Sequence, residues 1–341
     1  MPAAHDPPFA HLHVHSDYSV LDGACKIERL LDRVEKIGQS AVALTDHGVM
    51  SGAVELYRQA TRRGITPVVG LEAYVVPDHR ERPTRERRNH LTLLAETTEG
   101  YYNLIKLCSA GYLEGYHRKP RISHELMERH SAGLIALSGC LSGVVCASLE
   151  REDVAAARAE LDTLGQIFGR DDVYVEIQHA GLEMQTGINE HLRRLAGDTG
   201  LTMVATCDAH YPCREDADAH EALLAIQTRD LLSNPNRFKF QTKEFYLKTG
   251  AEMAEALPGF LDALPVSLEI AERCAALELP LGDVKLPRFP VPDGVTPSST
   301  STASATRASP AATRRGRPPR PRSGCASSCR SSARWASPAT F

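Results

Sequence analysis

The sequence predicts an α/β chain built on a mainly parallel sheet, and three features carry that expectation. From Phe9 to about Asp230, strand-like and helix-like runs alternate. Several strand-like runs, such as residues 40–45 and 133–138, are continuously apolar, as in strands covered on both faces. There are about seven such runs, which fits a barrel better than a small open sheet, although periodicity alone permits either.

The elements follow in order. Residues 9–15 alternate apolar side chains with histidines and read as a first strand. A helix over 27–36 puts Leu30, Leu31, Val34 and Ile37 on one face and stops at Gly38. Strand 40–45 precedes a helix over 51–63 that ends at Gly64. Strands 66–76 and 90–95 come next, then a helix over 99–111. Strand 133–138 leads into two helices, the second over 154–167. Strand 173–177, helix 184–196 and strand 202–206 complete the pattern.

Composition narrows the function. No apolar run approaches the roughly 20 residues needed to span a bilayer, and residues 1–8 lack the basic and apolar regions of a signal peptide. The expectation is a cytoplasmic protein with no membrane partner. The nine cysteines form no regular framework; Cys25, Cys108, Cys146 and Cys274 lie in apolar patterns and read as reduced core residues. Cys325 and Cys329 have zinc-like spacing but no partner pair. Residues 1–294 carry 31 basic against 43 acidic side chains, whereas residues 295–341 carry eight arginines and no Asp, Glu or Lys. So acidic a body is a poor non-specific DNA binder and suits a site that collects cations.

The ends of the strands carry the chemistry. His13 and His15 sit one strand step apart and share a face, so both can reach one metal ion. Alone, they fit a polar edge strand equally well. Asp22 follows them. The run Ala-Val-Ala-Leu ends in Thr45-Asp46-His47-Gly48, Pro-Val-Val-Gly-Leu in Glu72, Leu-Ile-Ala-Leu-Ser-Gly in Cys140, and Met-Val-Ala-Thr-Cys in Asp208-Ala209-His210, while His90 adjoins Leu-Thr-Leu-Leu. Each has a plain explanation singly: Asp46 or Asp208 as a helix cap, Cys140 as a small core residue, Glu72 as a surface carboxylate. Together they place metal-competent groups at nearly every strand exit, and in α/β barrels those exits meet at one rim. Mixed His, carboxylate and Cys donors suit zinc, manganese or iron better than magnesium or calcium. A carboxylate bridging two such cations allows one to acidify a water and another to stabilise phosphoryl charge. Asp46 fits a helix cap or a group orienting a histidine equally well.

These residues also carry a resemblance. His13-Val14-His15-Ser16, Thr45-Asp46-His47-Gly48, Gly70-Leu71-Glu72-Ala73-Tyr74, Asn89-His90-Leu91, Ser138-Gly139-Cys140-Leu141-Ser142-Gly143 and Cys207-Asp208-Ala209-His210 look like the motifs of a PHP (polymerase and histidinol phosphatase) domain. Over about residues 9–294 the chain is similar to the N-terminal region of bacterial replicative DNA polymerase III alpha subunits. Residues 117–121, 236–248 and 281–287 resemble that type rather than free-standing PHP phosphatases. The resemblance implies a distorted (β/α)7 barrel over 9–230, a short α+β extension over 231–294 toward a polymerase palm, and a tail over 295–341. It implies three divalent metals, zinc or manganese. His13, His15, Glu72 and Asp208 would hold the first, Glu72, His90 and Cys140 the second, and Asp22, His47 and His210 the third. His13, His15, Glu72 and Asp208 would then act in catalysis through a metal-activated water. All nine positions are filled by competent donors, which implies a working 3′→5′ exonuclease acting on DNA 3′ ends beside other subunits of the replicative polymerase.

Arg80, Arg82, Arg85 and Arg88, in the loop before His90, and Lys119 and Arg121 are candidate phosphate contacts, although a solvated mixed-sign loop explains them equally well. Phe238, Phe240 and Tyr246, interleaved with Arg237, Lys239 and Lys243, read as a link between domains rather than a base-stacking platform. The tail, rich in Ser, Ala, Arg and Pro, reads as disordered, either a basic nucleic-acid arm or, more in keeping with the abrupt switch, an out-of-frame GC-rich sequence. Without the palm, no DNA synthesis is expected. Two other readings compete: a non-catalytic module braced by its metals that binds polymerase partners, and a small-molecule PHP phosphatase.

Overall fold

The computed structural model describes residues 6–85 and 87–282. The chain divides into two units, Met1–Leu279 and Pro280–Phe341, and the architecture is that of the first. The expectations for residues 283–341, including the out-of-frame tail and Cys325 and Cys329, lie outside the described residues.

The strands are β1 (Ala41–Leu44), β2 (Thr66–Val75), β3 (Asn89–Ala95), β4 (Arg121–Ile122), β5 (Leu134–Leu137), β6 (Val173–Gln178) and β7 (Thr202–Thr206). The helices are α1 (Ile27–Lys36), α2 (Ala53–Arg62), α3 (Thr98–Leu113), α4 (His124–Arg129), α5 (Val144–Leu149), α6 (Val154–Phe168), α7 (Glu183–Thr199), α8 (Ala217–Thr228), α9 (Gly250–Ala256) and α10 (Ala263–Cys274). Local sequence fixes several starts: Thr97 caps α3 through the Gly100 amide, Asp153 caps α6 through the Ala156 amide, and Thr249 with Glu252 forms a capping box on α9.

The sheet runs β1-β2-β3-β5-β6-β7, with β4 on the side of β2. It is mixed rather than mainly parallel: β3 is antiparallel to both β2 and β5, while the other pairs are parallel. A parallel return needs a crossover, usually helical. The β2–β3 connection has no helix among its described residues, so the chain comes straight back.

Residues 9–15, expected as a full strand, make only isolated parallel bridges, His11 to Val42 and Val14 to Ala209. The segment divides its hydrogen bonds between two neighbours. His11 and Val14 carbonyls accept from Ala43 and Thr45 on the β1 side, and His15 N–H donates to Ala209 O just past β7. A regular ladder to either side is thereby lost. The two ends of the curled sheet are linked instead, which makes the fold a distorted α/β barrel.

Residues 231–279 belong to the same compact unit as the strands. Helix α10 brings Val266, Ile270, Ala271 and Cys274 into a buried cluster with Ala10, Leu12, Ala41, Val68, Leu94, Leu137 and Val204. Its Ser267 hydroxyl accepts from the Ala10 amide at 2.9 Å. Cys25, Cys146 and Cys274 are free and buried, and Cys108 is free and half-buried. Among the described residues no helix is long and apolar enough to cross a membrane.

Candidate metal centre

The nine candidate donors come together at one end of the sheet. Strand β2 delivers Glu72 to their centre, where its carboxylate is 1% exposed. Glu72 Oε1 lies 3.1 Å from His13 Nε2, 2.9 Å from His90 Nδ1 and 3.7 Å from Cys140 Sγ. Glu72 Oε2 meets His47 Nδ1. Asp208 Oδ1 is 3.0 Å from His15 Nε2 and 3.4 Å from His13 Nε2. Asp22 Oδ1 is 3.3 Å from His47 Nε2. His210 stacks obliquely on His15 with ring centres 4.4 Å apart, and His15 lies 4.1 Å from His47.

Three groups have donor atoms close enough to share an ion: His13, His15 and Asp208; His47, Glu72 and His90; and His15, His47 and His210. Within 4.8 Å, then, His15 and His47 each belong to two groups. His47 also lies 3.3 Å from Asp22 and beside His210, the two residues with which the resemblance grouped it.

Special backbone conformations bring the donors inward. Asp208 has φ 54°, a left-handed conformation that Asp tolerates better than most residues. Gly139 has φ 89°, and a Cβ there would come within 2.6 Å of the His90 carbonyl oxygen. Only glycine lets the turn carrying Cys140 pass so close to β3. His90 opens an antiparallel strand, so its start, not its end, lies at the rim where parallel strands end.

The electrostatics suit cations. Burial alone would raise the Glu72 and Asp208 carboxyls, but the surrounding histidines, His90 and His47 at Glu72 and His13 and His210 at Asp208, hold both well below the usual range. Burial opposes the charge on His47, yet Glu72 and Asp22 push it up to about 10. Burial likewise disfavours a charged His13, and Glu176 and Asp208 raise it nonetheless. Burial, with His47 and His210 beside it, lowers His15 to about 3. Burial and then Glu72 push the Cys140 thiol far up. In the metal-free state, protons on His13 and His47 neutralise the carboxylates. Metal ligands must shed such protons.

The donor atoms are also poorly satisfied. His15 Nε2, Asp22 Oδ1, His47 Nδ1, Glu72 Oε2 and Asp208 Oδ1 are buried and lack a hydrogen-bond partner among the described residues. They approach one another closely but not in hydrogen-bonding geometry. A buried polar atom so placed is costly unless something fills its lone pair. The donor set and its unsatisfied atoms fit divalent transition-metal ions.

A layer behind the donors holds them in place, and its key residue was missed in sequence. Glu176, from β6, lies 2.7 Å from His13 Nδ1 and accepts from Gly139 N, Gln178 Nε2 and Thr206 Oγ1. The signal was present: a glutamate in the otherwise apolar run Val173-Tyr-Val-Glu-Ile. Asp46 accepts from Ser16 N, Ser16 Oγ and Ser19 Oγ at 2.7–2.8 Å. Ser19 in turn reaches His15 Nδ1 at 3.2 Å. Asp46 therefore orients a histidine through a serine and caps no helix, since Gly52 precedes α2.

The candidate phosphate contacts fare differently. Arg80 pairs with Glu125, Arg82 donates to the carbonyls of His79, Arg80 and Glu81, and Lys119 lies over the Tyr74 ring at 5.2 Å. Arg85 is exposed and Arg88 half-buried. Arg121 must be corrected: it is fully buried and donates to the carbonyls of Gly115, His79 and Glu81. Tied to three carbonyls, it braces the loop and cannot meet a phosphate.

Comparison with known proteins agrees with the motifs. A family model described as PHP domain matches residues 11–180. The DNA polymerase III subunit alpha of Thermus aquaticus is 44% identical over 301 residues, covering 84% of this chain and 24% of that protein. The same subunit of Deinococcus radiodurans is 45% identical over 303 residues, 84% of this chain and 22% of that one. The chain thus spans about a quarter of the length of these relatives. Among solved structures, an amidohydrolase from Chromobacterium violaceum is 17% identical with a TM-score of 0.37, covering 59% of this chain and 87% of that one. A two-domain protein from Bacteroides vulgatus described as containing a predicted PHP-like metal-dependent phosphoesterase is 14% identical with a TM-score of 0.36, covering 76% of this chain and 62% of that one. Those likenesses are too loose to carry an argument. Through residues 11–180 the chain belongs to the PHP domain family, and its sequence relatives are DNA polymerase III alpha subunits.

Proposed function

We propose that this chain is the N-terminal PHP region of a replicative DNA polymerase subunit, and that its metal centre hydrolyses phosphodiesters at DNA 3′ ends in the 3′→5′ direction. The observation that carries the reading is the set of five buried donor atoms without a hydrogen bond, converging from four separate stretches of chain. They face one another at ion-pair distance without an aligned hydrogen bond, whereas a purely structural polar core aligns its hydrogen bonds. His13, His15, Asp22, His47, Glu72, His90, Cys140, Asp208 and His210 are the proposed ligands, for up to three zinc or manganese ions.

Divalent cations held there would supply Lewis-acid stabilisation of phosphoryl charge and a water acidic enough to ionise near neutral pH. The chain's own groups prepare for this. Glu176 accepts from His13 Nδ1–H and leaves Nε2 free to ligate. The Asp208 carbonyl oxygen takes the Nδ1 proton of His210 at 2.8 Å and likewise frees its Nε2. Glu72 has both carboxylate oxygens facing histidines and would offer its negative charge to the cations held beside them. The partly exposed side chains of His47, His90 and Asp208 form the face a phosphodiester can approach. In the cell this reading sets the chain in the cytoplasm, among DNA and the other subunits of the replicative polymerase.

The test is a labelled primer–template incubated with the full chain and manganese or zinc, with bound metal measured by mass spectrometry. Stepwise shortening from the 3′ end is expected, and none after chelation. Intact ends with either ion, or shortening that persists in a His13→Ala/Asp208→Ala double variant, would overturn the assignment.

A further inference from the structure

A cleft of about 180 Å³ lies between α8 and the segment after it, lined by Tyr211, His220, Leu224, Lys239, Phe240 and Thr242. It is smaller than the roughly 300–1,000 Å³ of drug-sized pockets and matches a single heterocycle. One aromatic ring joins it to the metal centre. Phe240 lines the cleft and packs edge-on against His210, with ring centres 4.9 Å apart, and against His220 at 4.8 Å. His220 Nε2 in turn holds the Asp22 carbonyl at 2.6 Å. Phe240 and His220 thus form a shared wall, with the cleft on one side and Asp22 and His210 on the other.

Beside it, Phe238 is 52% exposed and meets Phe240 edge-on at 6.3 Å. Its exposure alone says little, since Ile226 and Leu231 nearby are more exposed; what distinguishes it is its place between the cleft and a lysine. Lys239 is exposed and has no hydrogen bond or ion pair among the described residues. The neighbouring cations are already engaged: Arg237 with Glu221 and Lys243 with Asp218. An exposed aromatic face, an unengaged ammonium and a heterocycle-sized cleft are the elements with which proteins hold single-stranded nucleic acid, by stacking a base and neutralising a phosphate. The sequence pattern favours a domain link for these residues; the contact of Phe240 with His210 adds a physical route from the cleft to the metal centre.

We infer that Phe238, Lys239 and the cleft behind Phe240 form a nucleoside subsite that holds the base next to the phosphodiester presented to the metal centre, in a single-stranded end. The inference rests on the phosphodiesterase reading for which strand end is held, but its test needs no turnover. The probe is a 5′-labelled oligothymidylate with phosphorothioate linkages, titrated with the full chain by fluorescence anisotropy. A second probe of equal length and charge has abasic residues at its 3′ end.

Phe238→Ala should weaken oligothymidylate binding about ten-fold, the size of one lost base–aromatic stack. Phe238→Trp should keep wild-type affinity, and Lys239→Ala should weaken binding and reduce its salt dependence. The abasic probe should bind the wild type weakly and be indifferent to Phe238→Ala. Unchanged affinity in Phe238→Ala, equal losses for both probes, or no binding to the wild type would each overturn the subsite. If the wild type binds with this pattern yet leaves primer ends intact, the nuclease reading fails and the subsite stands. If it shortens ends while Phe238→Ala binds normally, the reverse holds.

Discussion

Each strand of the sheet presents one face to two different environments, and the contrast between them explains how this fold carries its chemistry. At the end covered by α10, the inward residues are Val68, Leu94, Leu137, Tyr174 and Val204, packed around Val266, Ile270 and Cys274. At the opposite end they are Glu72, His90, Gln178 and Asp208, with His13 and His15 from the first segment. Between lie Thr92, Glu176 and Thr206, all bonded to one another or to His13. The series 174, 176, 178 and 204, 206, 208 step along single faces by the two-residue period of a strand, and 94, 92, 90 does so in reverse because β3 is antiparallel. Apolar burial at one end holds the strands in register. That register aims unsatisfied donors at one volume at the other end.

This division predicts that stability and metal chemistry can be damaged separately. The largest effect belongs to the donors. The His13→Ala/Asp208→Ala variant should lose about a thousand-fold or more of any metal-dependent hydrolysis, since several kcal/mol of transition-state stabilisation is removed. Its metal-free melting temperature should fall only modestly: His13 gives up its bonds to Glu176 and Glu72, whereas Asp208 Oδ1 has no hydrogen bond to lose. A variant that melts well below the wild type without metal would break the comparison, by showing that the donors also hold the barrel shut.

The reverse experiment targets the other end. Ile270→Ala removes a fully buried side chain from the cluster around α10 and should cost about 2–5 kcal/mol of unfolding free energy, read by chemical denaturation. Metal stoichiometry in the folded protein should stay at the wild-type value. If the ions are lost while the variant is still folded, the two ends are coupled and the comparison is too sharp.

The middle layer should show an intermediate effect. Glu176→Gln keeps the shape and removes the charge that fixes the His13 tautomer, so metal affinity should drop about 10–100-fold with little change in stability. Unaltered affinity by competition with a chelator would reduce Glu176 to a packing group.

Much of this was readable in the chain. Most donors stood out because they follow an apolar run, and the strand–helix alternation placed those ends together; His90 opens its strand and Asp22 lies in the turn before α1. The antiparallel β3 was not readable, since alternation reports strands without their direction. Only the absence of a helical pattern between residues 76 and 89 hinted at a direct return. Residues 9–15 looked like a strand because their side chains alternate, while the division of their hydrogen bonds between β1 and the end of β7 leaves no trace in sequence. Glu176 was overlooked because it lies inside a strand rather than at its end. Arg121 was misjudged for a related reason: charge is visible in a sequence, but the carbonyls that bury it come from residues 79, 81 and 115.

The smallest expected effect concerns His220, which supports the donor end from outside the strands. Burial, and then the nearby His210, lower it from 6.5 to about 4, so it is neutral in the folded protein at pH 7. The unfolded chain binds a proton near pH 6.5 and the folded one resists until about pH 4. The stability His220 contributes is therefore fully present above about pH 6.5 and is lost as pH falls toward 4. His220→Gln retains a donor for the Asp22 carbonyl but does not titrate. Relative to wild type, the metal-free variant should gain ground steadily between pH 6.5 and 4.5 in denaturation experiments, with the difference constant above pH 7. A difference that does not vary with pH would mean that His220 binds its proton in the folded protein as it does in the unfolded chain, as an exposed imidazole does. The wall between the metal centre and the Phe240 cleft would then be open to water, and the contrast between a rigid end and a receptive one would have to be drawn elsewhere.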